Sequence, residues 1–270
     1  MKVMSFKEGM IYITFISTLT IPFYSNADCA FEKWKTHNNT MILKHKENSS
    51  YIYSIEKFSL DVDGAPNAYH PQDKGKNCKS STDFLGLDCL QNAGYKNGNW
   101  KSIIIPAPIN SDEGYVQPSG EYKGYFVSQT SLKDHSKINT DINKYVNSLK
   151  IPYIVIPSTL YSMKGTGMLG DVGYAVNVTN GLESPFIIAE TGPKKSNLGE
   201  ISFFLASALG GNNLNARTGS GLPKGKVIFI VFPGSAKKPS WPVSYIELKS
   251  MAERKLNEIG GKEKILTCTM

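Results

Sequence analysis

Short runs of β-favouring residues, separated by turn-forming residues, constrain the fold of this chain more than any other feature. We predict strands at 53–62, 102–105, 122–128, 153–156, 172–178, 186–189 and 226–232. Nearly every gap between these runs contains Gly, Pro or Asn. No alternation of strands with helices is sustained, which disfavours a doubly wound parallel sheet. The pattern therefore predicts a single mainly β domain (β or α+β) with a few helices, arranged as an antiparallel barrel or sandwich.

Three segments have helical periodicity, at 141–149, 200–209 and 244–259. Pro152 stops the first, Gly210 and Gly211 stop the second, and the third carries an apolar face before Gly260. Residues 28–50 are polar and mixed in character, so we predict a loop or a frayed lead-in there.

The first 27 residues have the pattern of a signal peptide. Lys2 and Lys7 precede an uncharged run at 10–24, and small residues follow before Asp28. The run is short and rich in Thr and Ser, so we expect cleavage and no stable membrane insertion, with an uncleaved anchor as the alternative. The expected mature chain, 28–270, is a secreted or periplasmic domain of a size that suits one core.

Four cysteines in an exported chain predict two disulfides rather than free thiols. Three pairings are possible. We favour Cys78 with Cys89 as a local link and Cys29 with Cys268 as a clasp, because domain termini often lie close together. None of the four has the spacing of a zinc site, and we expect neither a metal nor another cofactor.

A formal net charge of +7 is typical of proteins that work near an acidic surface, such as nucleic acid, an anionic wall polymer or a membrane. We favour the simpler interpretation, that the charge confers solubility and a loose attraction to the wall. The lysines are scattered, and no basic run alternates with aromatic residues. Nucleic acid is therefore not an expected partner.

Glu190 is the first candidate for acid–base chemistry. Asn180-Gly181 between two apolar runs predicts a two-residue hairpin turn, and in that register Asp171 lies opposite Glu190. Two neighbouring carboxylates resist joint ionisation, so Glu190 is expected to keep its proton. A bulge near Pro185 would move Glu190 to the other face of the sheet.

Glu200 is the second candidate, because the predicted helix 200–209 places it in a first turn, where the helix dipole favours the charged form. A neutral Glu190 and an ionised Glu200 would form the acid and base that cleavage of a glycosidic bond requires. The structural alternative is a helix cap and a solvated strand end. The four histidines have no ligand-like spacing and predict no competing site.

A series of short blocks, in order from about residue 54 to 241, resembles glycoside hydrolase family 75, the chitosanases. The blocks are DVDGAPNAYHP at 61–71, GLD at 86–88, AGY at 93–95, GYFVS at 124–128, TSL at 130–132, IPY at 151–153, GD at 170–171, GP at 192–193, GE at 199–200 and VFPGS at 231–235. The resemblance implies endo-acting, inverting cleavage of β-1,4-linked glucosamine. It places the essential pair on Glu190, where the family usually has Asp, and on Glu200.

Further site residues follow from these blocks. Asp63 and Asp171 are expected to pair with substrate amines, whereas Asp61 is assigned to stabilising the turn at Gly64. Aromatic side chains that could stack on sugar rings, or be part of the core, are Tyr69, Tyr95, Tyr125 and Tyr174.

The segment 188–193 with its following residues also resembles double-psi β-barrels such as those of rare lipoprotein A. This second resemblance implies a six-stranded double-psi-like barrel and an alternative function, hydrolysis of peptidoglycan glycan strands. A catalytically weak glycan-binding protein is a third reading. In each case the expected partner is a polysaccharide and the expected state is a monomer.

Overall fold

Nine strands form one mixed sheet in the computed structural model, which describes residues 29–268; the signal peptide predicted at 1–27 lies outside them. The strands are β1 (Phe31–His37), β2 (Thr40–His45), β3 (Tyr51–Ile55), β4 (Ser59–Asp61), β5 (Tyr153–Pro157), β6 (Val172–Asn177), β7 (Glu183–Gly192), β8 (Glu200–Ser202) and β9 (Val227–Val231). Their order is β1-β2-β3-β9-β6-β7-β5-β8-β4. The mainly β class is confirmed. The sheet of the described residues is open, so the six-stranded barrel is not confirmed.

The middle of the sheet is covered on both faces. Strands β5, β6 and β9 are buried along their whole lengths, which is why their sequences are continuous apolar runs rather than alternating ones. One face packs beneath α3 (Tyr245–Glu258), and the other packs beneath α2 (Phe203–Ala208). Two pairings, β5 with β7 and β4 with β8, are parallel, so the expected purely antiparallel arrangement is replaced by a mixed sheet.

Of the three predicted helices, α3 is confirmed, with Ser244 as its N-cap. The remaining helices are α1 (Ser158–Tyr161) and α4 (Gly261–Leu266), with 3-10 turns at Pro71–Asp73, Trp100–Ser102 and Ile142–Lys144. The helix predicted at 141–149 is reduced to the last of these turns, because the backbone becomes extended at Tyr145 and pairs with Lys133.

The helix predicted at 200–209 starts later than expected. Glu200 belongs to β8, and α2 begins at Phe203 after the N-cap Ser202, whose Oγ accepts a hydrogen bond from Leu205 N. Glu200 therefore does not lie in a first helical turn, and the predicted stabilisation of its charge by the helix dipole is wrong.

The prediction of a loop at 28–50 is also wrong, because this segment forms the β1–β2 hairpin. Asn38 turns the chain with φ of 49°, a left-handed conformation that Asn tolerates. The hairpin lies at one edge of the sheet and exposes many polar side chains, which masks the alternation expected of a strand.

The run predicted at 53–62 is divided between two distant places in the sheet. β3 pairs with β2 and β9, whereas β4 forms the opposite edge beside β8. After β4 the chain runs through turns and isolated bridges, such as Ile104 with Ser128 and Val116 with Phe126, so the strands predicted at 102–105 and 122–128 do not extend into ladders.

Both predicted disulfides are confirmed. Cys29–Cys268 joins the start of β1 to the end of α4, and Cys78–Cys89 closes a local loop. No helix within the described part of the chain has the length and apolarity to span a membrane.

Candidate active site

An acidic cleft of about 600 Å³ lies where the ends of β4, β7 and β8 meet the segment 92–103. A cavity of about 390 Å³ adjoins it and shares five of its lining residues. The carboxyl groups are accompanied by neutral polar side chains, and neither Lys nor Arg is among the described residues that line the two cavities. The carboxyl-bearing residues are Asp61, Asp63, Asp88, Glu190 and Glu200.

A bulge near the end of β7 directs Glu190 into this cleft. Ile188 pairs with Ile154 and Glu190 with Val155, which leaves Ala189 unpaired on β7. The carbonyl of Ala189 instead accepts a hydrogen bond from Leu132 N, at 2.9 Å. This contact brings the neighbouring Ser131 to the Glu190 carboxylate.

The Glu190 carboxylate accepts three hydrogen bonds. Ser131 N lies 2.6 Å from Oε1, and Oε2 accepts from Ser131 Oγ at 2.6 Å and from Thr191 N at 3.1 Å. Burial, followed by the charge of Asp61, raises the pKa of Glu190 to about 8, and these donors oppose that rise. The side chain is thus held in one orientation.

Glu200 enters the same cleft from β8 without comparable support. No side-chain hydrogen bond to its carboxylate is present within residues 29–268, although Gly192 is close enough that an added Cβ would lie 3.7 Å from Glu200 Oε2. Burial, followed by the charge of Asp61, raises the pKa of Glu200 to about 8. None of the described residues offsets the cost of ionising this group.

Asp61 affects both glutamates. It ends β4, which pairs with β8 so that Ser59 lies opposite Glu200. Its Oδ1 accepts from Asp63 N at 2.7 Å, as expected for a turn-stabilising Asp, and burial raises its pKa to about 6. Asp61 also lines both cavities, so it adds to the acidity of the cleft besides stabilising the turn.

Asp63 lies in the cleft as predicted, held by Tyr69 OH at 2.9 Å and Ser128 Oγ at 3.2 Å. Burial and the neighbouring charges of Asp61 and Glu190 raise the pKa of Asp63. Tyr69 lines the adjoining cavity but is 4% exposed, so it positions Asp63 and does not offer an open ring face.

The predicted pairing of Asp171 with Glu190 is wrong. The turn between β6 and β7 is longer than the expected two residues, since Asn177 N bonds to Leu182 O, and this shifts the register. Ile188 N therefore bonds to Asp171 O. The carboxylate of Asp171 is fully buried and accepts from the backbone N–H groups of Met168, Gly234 and Ala236, so it holds loops together away from the cleft.

The structure also places three of the four predicted stacking tyrosines outside the cleft lining. Tyr95 is buried beside Trp100 and donates to Glu113. Tyr174 is buried in the core of the sheet, and Tyr125 donates to the carbonyl of Leu85. These tyrosines lie in apolar clusters or bond to distant residues. Local sequence does not show whether a tyrosine is packed inside the protein in this way or is open to a sugar ring.

Several lining residues were not identified as site residues from the sequence. They are Asn92, Asn99, Ser102, Ile103, Ser131, Thr191 and Pro193. Ser131 belongs to the TSL block at 130–132, so the family resemblance could have identified it as a site residue. The asparagines lie in irregular loops that have no comparable pattern. Within residues 29–268, no group of three or more His, Cys, Asp or Glu side chains is arranged to hold a metal ion.

Comparison with known proteins agrees with this geometry. A search of curated proteins finds no match. Residues 58–262, roughly three quarters of the chain, match the family described as fungal chitosanase of glycosyl hydrolase group 75. The matched range contains every carboxylate of the cleft, and it supports a glycoside hydrolase that acts on chitosan. This chain belongs to the chitosanase family of glycosyl hydrolase group 75.

Proposed function

We propose that this protein is a secreted chitosanase that cleaves β-1,4 linkages within the polymer, with inversion, using Glu190 and Glu200 as its acid–base pair. The observation that carries the proposal is that two glutamates of a family member share one cleft, where burial raises the pKa of each to about 8. Carboxyl groups with strongly shifted pKa values that share a cleft are typical of functional sites.

The charge of the cleft supports a cationic substrate. The chain as a whole is basic, at +7, yet the described lining of the two cavities contains five carboxyl groups and neither Lys nor Arg. Ammonium groups of glucosamine units would be attracted to this lining and would lower the pKa of the carboxyl groups they approach. Binding of the substrate would thereby favour ionisation of one member of the pair.

The hydrogen bonds suggest which glutamate ionises. Three donors stabilise the anion of Glu190 and fix its orientation, so we assign Glu190 as the base that activates water. Glu200 is buried, and none of residues 29–268 donates a hydrogen bond to its carboxylate, so we assign it as the acid that protonates the leaving oxygen. This reverses the roles predicted from the sequence, which depended on the Asp171 register and on a helical first turn at Glu200.

Inversion requires the water and the leaving group to lie on opposite faces of the sugar ring, with the two carboxyl groups about 6.5–9.5 Å apart. The first products would then carry the α anomer. Proton NMR during the first minutes of cleavage distinguishes this outcome from retention, which would give the β anomer and exclude a single-step displacement.

The substrate is tested by incubating purified protein with chitosan, chitin and peptidoglycan and measuring new reducing ends. We expect release from chitosan, with a broad distribution of oligomers that indicates internal cleavage. Release from peptidoglycan alone would favour the alternative glycan-strand hydrolase. Binding to chitosan without release would favour a glycan-binding protein.

Secretion is supported by the signal peptide predicted at 1–27 and by two disulfides, which form in oxidising compartments. N-terminal sequencing of protein recovered from the medium of an expressing host should begin at Asp28. Retention of the chain in the membrane fraction with residues 1–27 attached would identify an uncleaved anchor.

A further inference from the structure

The chain between the two glutamates is a loop, residues 193–199, that joins β7 to β8; we refer to it as the linking loop. Most of its side chains are exposed, and Leu198 is its buried apolar anchor. Within the loop, Ser196 N and Ser196 Oγ both bond to Pro193 O. Such sparse internal bonding does not by itself fix the path of seven residues.

Two other segments hold the linking loop from outside. Thr159 Oγ1 of α1 donates to Lys194 O at 2.7 Å, and the tip of the β1–β2 hairpin contacts the next three residues. His37 Nε2 donates to Ser196 O at 2.8 Å, and Asn38 Nδ2 donates to Asn197 Oδ1 at 2.7 Å. The same Asn38 amide lies 3.3 Å from Ser196 O and 3.5 Å from Lys195 O. The adjacent side chains of His37 and Asn38 thus donate hydrogen bonds to acceptors on three consecutive residues of the linking loop, 195–197.

These contacts are built into the hairpin and are not incidental surface contacts. His37 is 7% exposed, and Asn38 occupies the left-handed turn position that aims its amide at the loop. The base of the hairpin is fixed by the Cys29–Cys268 disulfide. The hairpin and both of these cysteines lie outside residues 58–262, the part of the chain that matches the family.

The linking loop ends directly at Glu200. Gly192, which precedes the loop, lies beside Glu200 Oε2, and Gly199, which ends it, bonds through its carbonyl to Ser59 N of β4. Because no described residue forms a hydrogen bond with the Glu200 carboxylate, the loop and β8 determine where this group lies. A loop held at 195–197 therefore limits how far Glu200 can move relative to Glu190.

We infer that His37 and Asn38 are positioning residues, and that the β1–β2 hairpin orders the linking loop so that Glu200 is held at a working distance from Glu190. The inference rests on the proposed function, since the loop's position matters for catalysis only if this pair acts. Small displacements of a catalytic group can lower rates strongly without affecting substrate binding.

The test compares two asparagines of the hairpin tip. Asn38→Gly removes the contacts and keeps the left-handed turn, whereas Asn39→Gly removes a neighbouring exposed amide that makes no hydrogen bond in the described structure. We expect Asn38→Gly to lower kcat for chitosan about tenfold with little change in KM. We expect faster amide hydrogen exchange at 194–199 in the same variant, with Asn39→Gly behaving as wild type in both measurements.

His37 provides an independent arm. His37→Phe keeps the ring volume but loses the donor, and His37→Gln keeps a donor and should recover part of kcat. Thermal unfolding of each variant separates loss of fold from loss of position. Exchange at 194–199 that is equal in Asn38→Gly and Asn39→Gly, or faster exchange with unchanged kcat, would overturn the inference. Wild-type protein that leaves chitosan intact would instead refute the proposed function, while the exchange data still report whether the hairpin holds the loop.

Discussion

The end of β7 and the start of β8 carry the two glutamates into one cleft, yet they hold them in different ways. β7 is a long central strand whose bulge brings two donors of Ser131 to Glu190, and the adjacent Thr191 N is a third. β8 has three residues near the edge of the sheet, and the Glu200 carboxylate that it presents accepts no hydrogen bond from the part of the chain that the structure describes. Burial raises the pKa of both to about 8, but in Glu190 the donors oppose this rise and in Glu200 nothing does.

Two carboxyl groups with similar proton affinity can therefore respond differently when a cationic substrate arrives. A preoriented Glu190 can ionise with its anion already solvated by protein donors, whereas ionised Glu200 would depend on water or on the substrate. The contrast predicts a hierarchy of effects, which the following changes test from the largest to the smallest.

Replacing either glutamate should have the largest effect. Glu190→Ala and Glu200→Gln should each lower kcat on chitosan about 10³-fold, because a positioned general acid or base contributes that much. Added azide should restore cleavage in Glu190→Ala, since a small anion can replace the activated water. Glu200→Gln should still cleave substrates with a good leaving group at close to the wild-type rate, since such a leaving group needs no protonation.

Azide rescue of the other glutamate would contradict the assignment of Glu190 as the base and Glu200 as the acid. If azide rescues a Glu200 variant and not Glu190→Ala, the roles predicted from the sequence are correct after all. Glu183→Gln, which removes an exposed β7 carboxylate paired with Lys262, is the control and should keep wild-type activity.

Ser131→Ala should have the next largest effect, because it removes the hydroxyl donor of Glu190 and leaves Glu200 untouched. A hydrogen bond to a charged group contributes about 1.5–3 kcal/mol, so we expect a loss of roughly ten- to hundredfold in kcat/KM. Ser131 lowers the pKa of Glu190, and its removal should raise that pKa. The acidic limb of the pH profile of kcat/KM should move to higher pH, while the alkaline limb stays in place.

The control for this variant is Ser136→Ala, whose hydroxyl bonds to Asp134 in an exposed loop. It should leave both limbs unchanged. A shift of the alkaline limb in Ser131→Ala would mean that Ser131 acts on Glu200 and that the two environments are not separable.

The pH dependence of stability should also distinguish the two glutamates. A carboxyl group whose pKa is raised by folding binds more protons in the native state, so the free energy of unfolding falls as pH rises from about 4.5 to about 8. Glu200→Gln should remove this cost and gain about 1 kcal/mol at pH 8.5, or roughly 2–4 °C in Tm. At pH 4.5 the gain should vanish.

Glu190→Gln should gain less, because its amide would place an N–H against the donors of Ser131 and Thr191. Differential scanning calorimetry at both pH values measures the comparison. An equal gain from the two variants would show that the donors of Glu190 do not stabilise its anion.

The same contrast explains what the sequence could and could not predict. Buried strands such as β5, β6 and β9, the helix α3 and both disulfides follow from apolar runs, a capped periodic segment and an even cysteine count. The hairpin at 31–45 did not follow, because strands that expose polar side chains at an edge resemble loops. The sites of Glu190 and Glu200 could be named from the family blocks, but their surroundings could not.

Those surroundings depend on register. A turn of four residues rather than two moved Asp171 away from Glu190, and a bulge at Ala189 brought Ser131 to it. Ser131 and Glu190 are 59 residues apart in the chain, and no local pattern encodes their contact. Long-range pairing determined the electrostatics of the site, whereas local sequence determined which residues it contains.

The smallest predicted effect comes from Gly192→Ala, which adds one methyl group on the Glu200 side of the cleft. The new Cβ would lie 3.7 Å from Glu200 Oε2, 3.2 Å from Val155 Cγ1 and 3.0 Å from Ser196 Oγ. By excluding water from Glu200 it should raise the pKa of that carboxyl group, so the alkaline limb of the kcat/KM profile moves to higher pH while the acidic limb is unchanged. We expect a loss of kcat of only about twofold, since the methyl touches no donor of Glu190.

Crowding of the linking loop is a competing cause of such a pH shift. The double variant Gly192→Ala/Ser196→Ala tests it by removing the closest contact of the new methyl group. If the pH shift persists in the double variant, it arises at Glu200; if it disappears, or if the acidic limb moves instead, the two glutamates are coupled more tightly than their different hydrogen bonds imply.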